Sequence, residues 1–160
     1  MNPRVGLPSN LVVGQTSDLL LVQVDGAYPT GVVTFGFNNE PRSITGIQKV
    51  AQIFLKILFT TQGTDVLNPG LGTGFSELVI RSNITQNPRE FAQSASTYIS
   101  EAVSQVKSLS GTDPASTMRD VQILGLNTTD ESIQMYLKLT TAAGEFASIA
   151  IPFPQMNLNV

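Results

Sequence analysis

After a breaker-rich, nearly uncharged start, apolar positions fall into runs whose period changes along the chain. Leu19–Val24 and Gly31–Phe37 are short and strand-like, and Asp25–Thr30 between them is turn-rich, which predicts a β-hairpin. Asn38-Asn39-Glu40-Pro41 breaks the pattern, and Ser43 stands where a helix N-cap is expected. From Ile44 to Thr61 the period becomes helical. At about 100° per residue the apolar side chains of this segment cover more than half the circumference. A surface helix needs a much narrower stripe, so this one is expected to bury more than one face, inside its own domain or against a partner.

Residues 62–76 form a Gly-rich connection, with a helical turn expected over Phe75–Ile80. The second long helix is announced by Asn87 at the N-cap, Pro88 at the first helical position and Glu90 at the third. Phe91, Ala95, Tyr98, Ile99, Ala102, Val103, Val106 and Leu109 make its apolar stripe, while Gln93, Ser96, Thr97, Ser100, Ser104 and Ser108 make a mostly uncharged opposite face. Beyond Pro114 the period is two: Met118–Leu126, then Ile133–Leu139, then Glu145–Ile151 after the turn Thr141–Gly144. These elements predict an α+β fold, two main helices packed on a C-terminal antiparallel meander. Residues 1–42 are expected as an extended arm and β-hairpin, 43–151 as the α+β domain, and 152–160 as an apolar tail.

Composition narrows the chemistry. The 160 residues include no His, Cys or Trp, which removes a Ser-His-Asp triad, a thiol nucleophile, disulfides and any His- or Cys-ligated zinc. Only 13% of residues are charged, against ~25% in ordinary domains, and the formal net charge is −3. The balance speaks against a phosphate-tracking nucleic-acid binder. A folded chain with so little charge is expected to have a surface covered by partners. No signal-like or membrane-spanning run is evident, so synthesis in a cytoplasm is expected. Asn83-Ile84-Thr85 and Asn127-Thr128-Thr129 match the glycosylation pattern and are read as chance.

Paired carboxylates are the remaining catalytic option, with Glu77, Glu90, Glu101, Asp113, Asp120, Asp130, Glu131 and Glu145 available. Glu90 is accounted for by capping, Asp130-Glu131 by a turn, and Glu101 by the polar helix face. Gly70-Leu71-Gly72-Thr73-Gly74 lacks the preceding strand and the Lys-Ser/Thr ending of a phosphate cradle, and reads as a connection between helices. No catalytic, metal or cofactor residue is assigned. Gln48 and Gln52, four apart on the narrow polar side of the first helix, are candidates for a hydrogen-bonding ridge between subunits.

Gly46-Ile47-Gln48 opens the first helix, Ile57-Leu58-Phe59-Thr60-Thr61-Gln62-Gly63 closes it, and Pro69-Gly70-Leu71-Gly72 follows. In these motifs and their order, over residues 43–151, the chain resembles the baseplate wedge or sheath-initiator family of contractile-tailed bacteriophages. Relatives of that family occur in type VI secretion baseplates, and it has at times carried a lysozyme label. The resemblance implies a non-enzymatic virion subunit without cofactors, roughly six copies to a ring, joining baseplate wedge proteins to the tail sheath protein, with tube or hub proteins as further neighbours. It implies a wedge-side surface at Gln48, Lys49, Gln52 and Lys56. On the sheath side it implies strand addition along Glu145, Phe146, Ser148 and Ala150. A peptidoglycan-degrading enzyme, or an adaptor at another tail ring, are the alternatives. The family's Glu-Pro-Arg near the end of the second helix is here Leu109-Ser110-Gly111-Thr112-Asp113-Pro114; Glu40-Pro41-Arg42 lies before the first helix and is not its equivalent.

Overall fold

The period-two segments after residue 117 form a meander whose middle strand is its most buried. A computed structural model describes residues 18–19, 22–25, 31–35, 43–82, 84, 86–128 and 132–154. The arm expected over 1–17, the turn over 26–30, the acidic turn at Asp130-Glu131 and the tail beyond 154 lie outside the described residues. In chain order the elements are β1 (Asp18–Leu19), β2 (Val22–Asp25), β3 (Gly31–Phe35) and β4 (Ser43–Ile44), then α1 (Gly46–Phe59), α2 (Phe75–Arg81) and α3 (Pro88–Leu109). A 3₁₀ turn at Pro114–Ser116 leads to β5 (Met118–Thr128), β6 (Ser132–Thr141) and β7 (Phe146–Pro154). Among the described residues, three α-helices and a three-stranded antiparallel meander make the class α+β.

β6 pairs antiparallel with β5 on one side and with β7 on the other. Its alternation decides burial: Ile133, Met135, Leu137 and Leu139 are all in the core. The turn into β7 closes through Gly144, whose φ of +86° suits a residue without Cβ. β7 continues past the expected end at Ile151 because Phe153 also faces the core. β5 pairs with β6 through two register breaks, with Arg119 and Leu124 as the additional residues. The second break turns Leu124 outward, where it is 57% exposed. Upstream, β2 and β3 pair antiparallel, β3 joins β7 in parallel at Gly31–Ile149 and Val32–Ala150, and β1 pairs with β4.

The first helix begins later and ends earlier than its periodicity predicts. Ser43 is not its N-cap: Ser43 and Ile44 are spent in β4, Thr45 takes the N-cap position in extended conformation, and Gly46 turns the chain with φ +58°. At the other end, Thr73 donates its backbone N–H to the Thr60 carbonyl, and Thr61 bridges Thr73, so the returning loop pulls the chain out of helical geometry. The carbonyls left open at the helix end are satisfied from beyond the loop: the Thr73 hydroxyl donates to Leu58 O at 2.8 Å and the Ser76 hydroxyl to Phe59 O at 2.9 Å.

The breadth of the apolar face of α1 is explained inside the domain. Val50, Ala51, Phe54, Leu55, Ile57 and Leu58 are all buried among α3, α2 and the sheet. No partner is needed to cover them. α3 contributes one stripe only, Phe91, Ala95, Ile99, Ala102 and Val106. Asn87 does occupy its N-cap position, though its side chain makes no capping hydrogen bond. The layers meet at Phe75, whose ring centroid lies 5.5 Å from Phe59, 6.4 Å from Phe91 and 5.9 Å from Phe153. Edge and tilted contacts of this kind add to the gain from burying each ring.

Candidate functional site

The two helix surfaces and the sheet edge that the sequence singled out are not equally available. On α1, Gln48 and Lys56 are exposed, Lys49 is half-buried, and Gln52 is only 3% exposed. The ridge of paired glutamines is therefore corrected. The same wide burial that hides the apolar face carries round to Gln52, leaving Gln48 and Lys56 as the outward members of that set.

Glu145, just before β7, is exposed; on the strand Phe146 is about half-exposed beneath the Lys138 ammonium (4.9 Å from the ring centroid), and Ser148 is half-buried. Ala150 is buried, lies opposite Tyr136 of β6, and pairs with Val32 of β3 on its other side. The edge expected to receive a sheath strand at Ala150 is thus occupied by β3 of the same chain. The sheet order β2-β3-β7-β6-β5 moves the open edge of the meander to β5, which among the described residues pairs only with β6. This edge is 11 residues long and carries outward Leu124 at its bulge. No feature of the β5 sequence marked it as the outer strand, because strand order is not encoded in alternation.

The Gly-rich connection is a stapled loop. Gln105 of α3 reaches across to Gly72, accepting from its N–H at 2.9 Å and donating to its carbonyl at 2.8 Å. Asp65 Oδ1 accepts from the N–H groups of Leu67 and Asn68, and Gly63 N–H donates to Pro69 O. Held this way, the loop exposes Val66 by 93% and Leu67 by 88%. A pair of aliphatic residues in the middle of a polar connection was the signal available in the sequence for this knob.

Two concavities flank α3. One, of about 680 Å³ and widely open, is lined by Gln62 and Gly72 of the loop and by Ser96, Ser100, Glu101 and Ser104. Its serine hydroxyls are turned onto the helix itself: Ser96 donates to Gln93 O, Ser100 to Ser96 O and Ser104 to Ser100 O. Glu101 is the charged residue among those lining it. The other, of about 260 Å³, lies between α1 and the end of α3, walled by Val50, Ile53, Val106 and Leu109 and rimmed by Lys49 and residues 110–113. Asp113 Oδ2 and Ser116 Oγ are buried beside it without a hydrogen-bond partner, while Asp113 Oδ1 accepts from Ala115 N–H to cap the 3₁₀ turn.

The described acids Glu77, Glu101 and Asp120 stand on different elements. Glu77 pairs with Arg81 on the solvent side of α2 at 3.6 Å, and Glu101 stands on the open groove. Asp120 accepts a 3.4 Å contact from Gln122 on β5. Among the described residues no group of three or more Asp or Glu is placed to hold a metal ion, and no helix is long and apolar enough to cross a membrane. Compared with protein-family models, with curated proteins and with solved structures, the chain finds no match in any of the three.

Proposed function

We propose that this chain is a structural subunit of a contractile tail baseplate, one that joins the wedges to the first ring of sheath subunits and starts sheath assembly. The reading rests on the ordered motifs over residues 43–151: the helix closing in Leu58-Phe59-Thr60, the Pro69–Gly72 loop, the second amphipathic helix, then the meander. In it, the two long helices lie on the meander and form its assembly scaffold. The observation that carries the mechanism is the open edge of β5. A strand edge presents unpaired N–H and C=O groups, so an extended arm of a sheath subunit gains main-chain hydrogen bonds there and side-chain register from the alternation. Roughly six such edges in a ring would offer the first sheath subunits a fixed geometry to copy. Gln48, Lys49 and Lys56 remain the wedge-side surface of this reading, and the arm over 1–17 a second partner contact. No reaction is required of the subunit, which fits a virion part made in the host cytoplasm.

The test is made on the edge. Gln122→Lys with Leu124→Lys adds charge to exposed positions of β5, a substitution that blunts strand edges without touching the core. Complete baseplates carrying sheathless tubes are the expected product. Sheaths of normal length on such baseplates, or a baseplate map with this subunit away from the first sheath ring, would overturn the reading.

A further inference from the structure

We infer that the recess between α1 and the end of α3 binds an uncharged amide carried on a branched aliphatic body, the chemistry of one peptide unit beside a leucine side chain. Among the described residues, two buried side-chain polar atoms have no hydrogen-bond partner, Asp113 Oδ2 and Ser116 Oγ, and both residues line this one recess. Buried polar atoms of folded proteins are paired with few exceptions, and an orphan costs free energy until a partner reaches it. The walls beside them are aliphatic, Val50 and Ile53 from α1 and Val106 and Leu109 from α3.

The two orphans call for different partners. A carboxylate oxygen only accepts, and with Oδ1 engaged by the Ala115 N–H, Asp113 presents Oδ2 to a donor. The Ser116 hydroxyl has a proton to give. One amide serves both, its N–H donating to Oδ2 and its carbonyl accepting from Ser116. Charge selects a neutral ligand. Lys49 is the cation and Asp113 the acid among the lining residues, so the recess as a whole is balanced. A cation would be set beside Lys49 and an anion beside Asp113, and burying either costs more than burying a neutral amide.

Size limits the ligand further. At about 260 Å³ the recess falls just short of the ~300–1,000 Å³ of pockets for drug-sized molecules, which leaves room for one branched side chain and the amide next to it. Exposed Gly111 and Thr112 form the rim that gives way as the amide reaches the two buried atoms. The amide comes either from a free small molecule or from a Leu, Ile or Val residue in a peptide, and the two sources are separated by the probes below. Nothing in this site depends on the baseplate reading, and a recess that binds no amide leaves that reading untouched.

Three probes are titrated into the isotope-labelled full-length chain. N-acetyl-leucine N-methylamide stands for a peptide and 3-methylbutanamide for a free amide, while N-acetylglycine N-methylamide keeps the peptide units and lacks the aliphatic body. The first two should shift amide resonances within 49–53 and 106–116 with a Kd of about 1 mM, the scale for ligands this small, and the tighter of them names the source. The glycine probe should bind ~10-fold more weakly or worse, having no side chain to bury. Asp113→Asn puts a donor where Oδ2 accepts and keeps an oxygen for the cap. Ser116→Ala removes the hydroxyl. Each variant should lose ~10-fold or more in affinity for the leucine probe. The free Ser116→Ala chain should unfold at no lower urea concentration than wild type, since the atom it loses has no partner to leave behind. No shifts in those segments at ~20 mM of either branched amide, equal binding of the glycine probe, or full affinity in either variant overturns the inference.

Discussion

Gln105 binds Gly72 with both ends of its carboxamide, taking the backbone N–H at 2.9 Å and giving to the carbonyl at 2.8 Å. The two residues are 33 apart in sequence, and the pair fastens the loop after α1 to the outer side of α3. Gly72 is itself buried, so without Gln105 both of its polar groups are left without that partner. Gln105→Ala is expected to destabilise the domain by about 2 kcal/mol, the scale of leaving buried backbone groups unsatisfied. Denaturant unfolding measures the loss, and amide exchange should rise first within 62–72.

The neighbouring glycines should respond differently to a methyl group. At Gly72 an added Cβ overlaps the Thr60 carbonyl oxygen, and the backbone φ of +114° suits glycine alone. At Gly74 the obstacle is a side chain, with Tyr98 Cε1 2.7 Å from the new atom. Both Gly72→Ala and Gly74→Ala should cost about 1–3 kcal/mol or more. Tyr98→Leu is expected to recover much of the second loss and none of the first. Thermal unfolding of the single and double variants reads the difference, and equal recovery at both sites would refute the account.

Open space does not make glycines interchangeable either. At both Gly111 and Gly144 an added Cβ would meet no heavy atom within 4 Å, yet only Gly144 of the two has positive φ, +86°. Gly144→Ala should lose about 1 kcal/mol through backbone strain in the β6–β7 turn. Gly111→Ala should be neutral or gain about 0.4–1 kcal/mol by restricting the unfolded chain. Midpoints of urea unfolding should therefore move in opposite directions, or only the Gly144 variant should move.

Removing the central ring should be severe. Phe75 is fully buried against three other phenylalanines, and Phe75→Ala is expected to cost about 3–5 kcal/mol. Two residues along, Glu77→Gln breaks only an exposed pair with Arg81 and should stay within about 0.5 kcal/mol of wild type. Chemical denaturation of the two variants compares a core residue with a surface one on the same short helix.

Much of the domain was legible from local pattern. Alternation over 118–151 located the three meander strands, and the four-three spacing from Phe91 to Val106 located the buried stripe of α3, because strand and helix periods follow from backbone geometry alone. The absence of His and Cys excluded whole chemistries before any fold was drawn. Tertiary structure decided which surfaces are left over. Gln52 is polar by sequence and buried by the packing around α1, and Ala150 sits on an edge that β3 fills. The end of α1 at Phe59 is set by hydrogen bonds from Thr73 and Ser76, which no window centred on the helix contains. Periodicity reports which face of an element turns inward. What covers the other face, and which strand is left at the edge, depends on pairings between residues far apart in the chain, and those exist only once the elements have assembled.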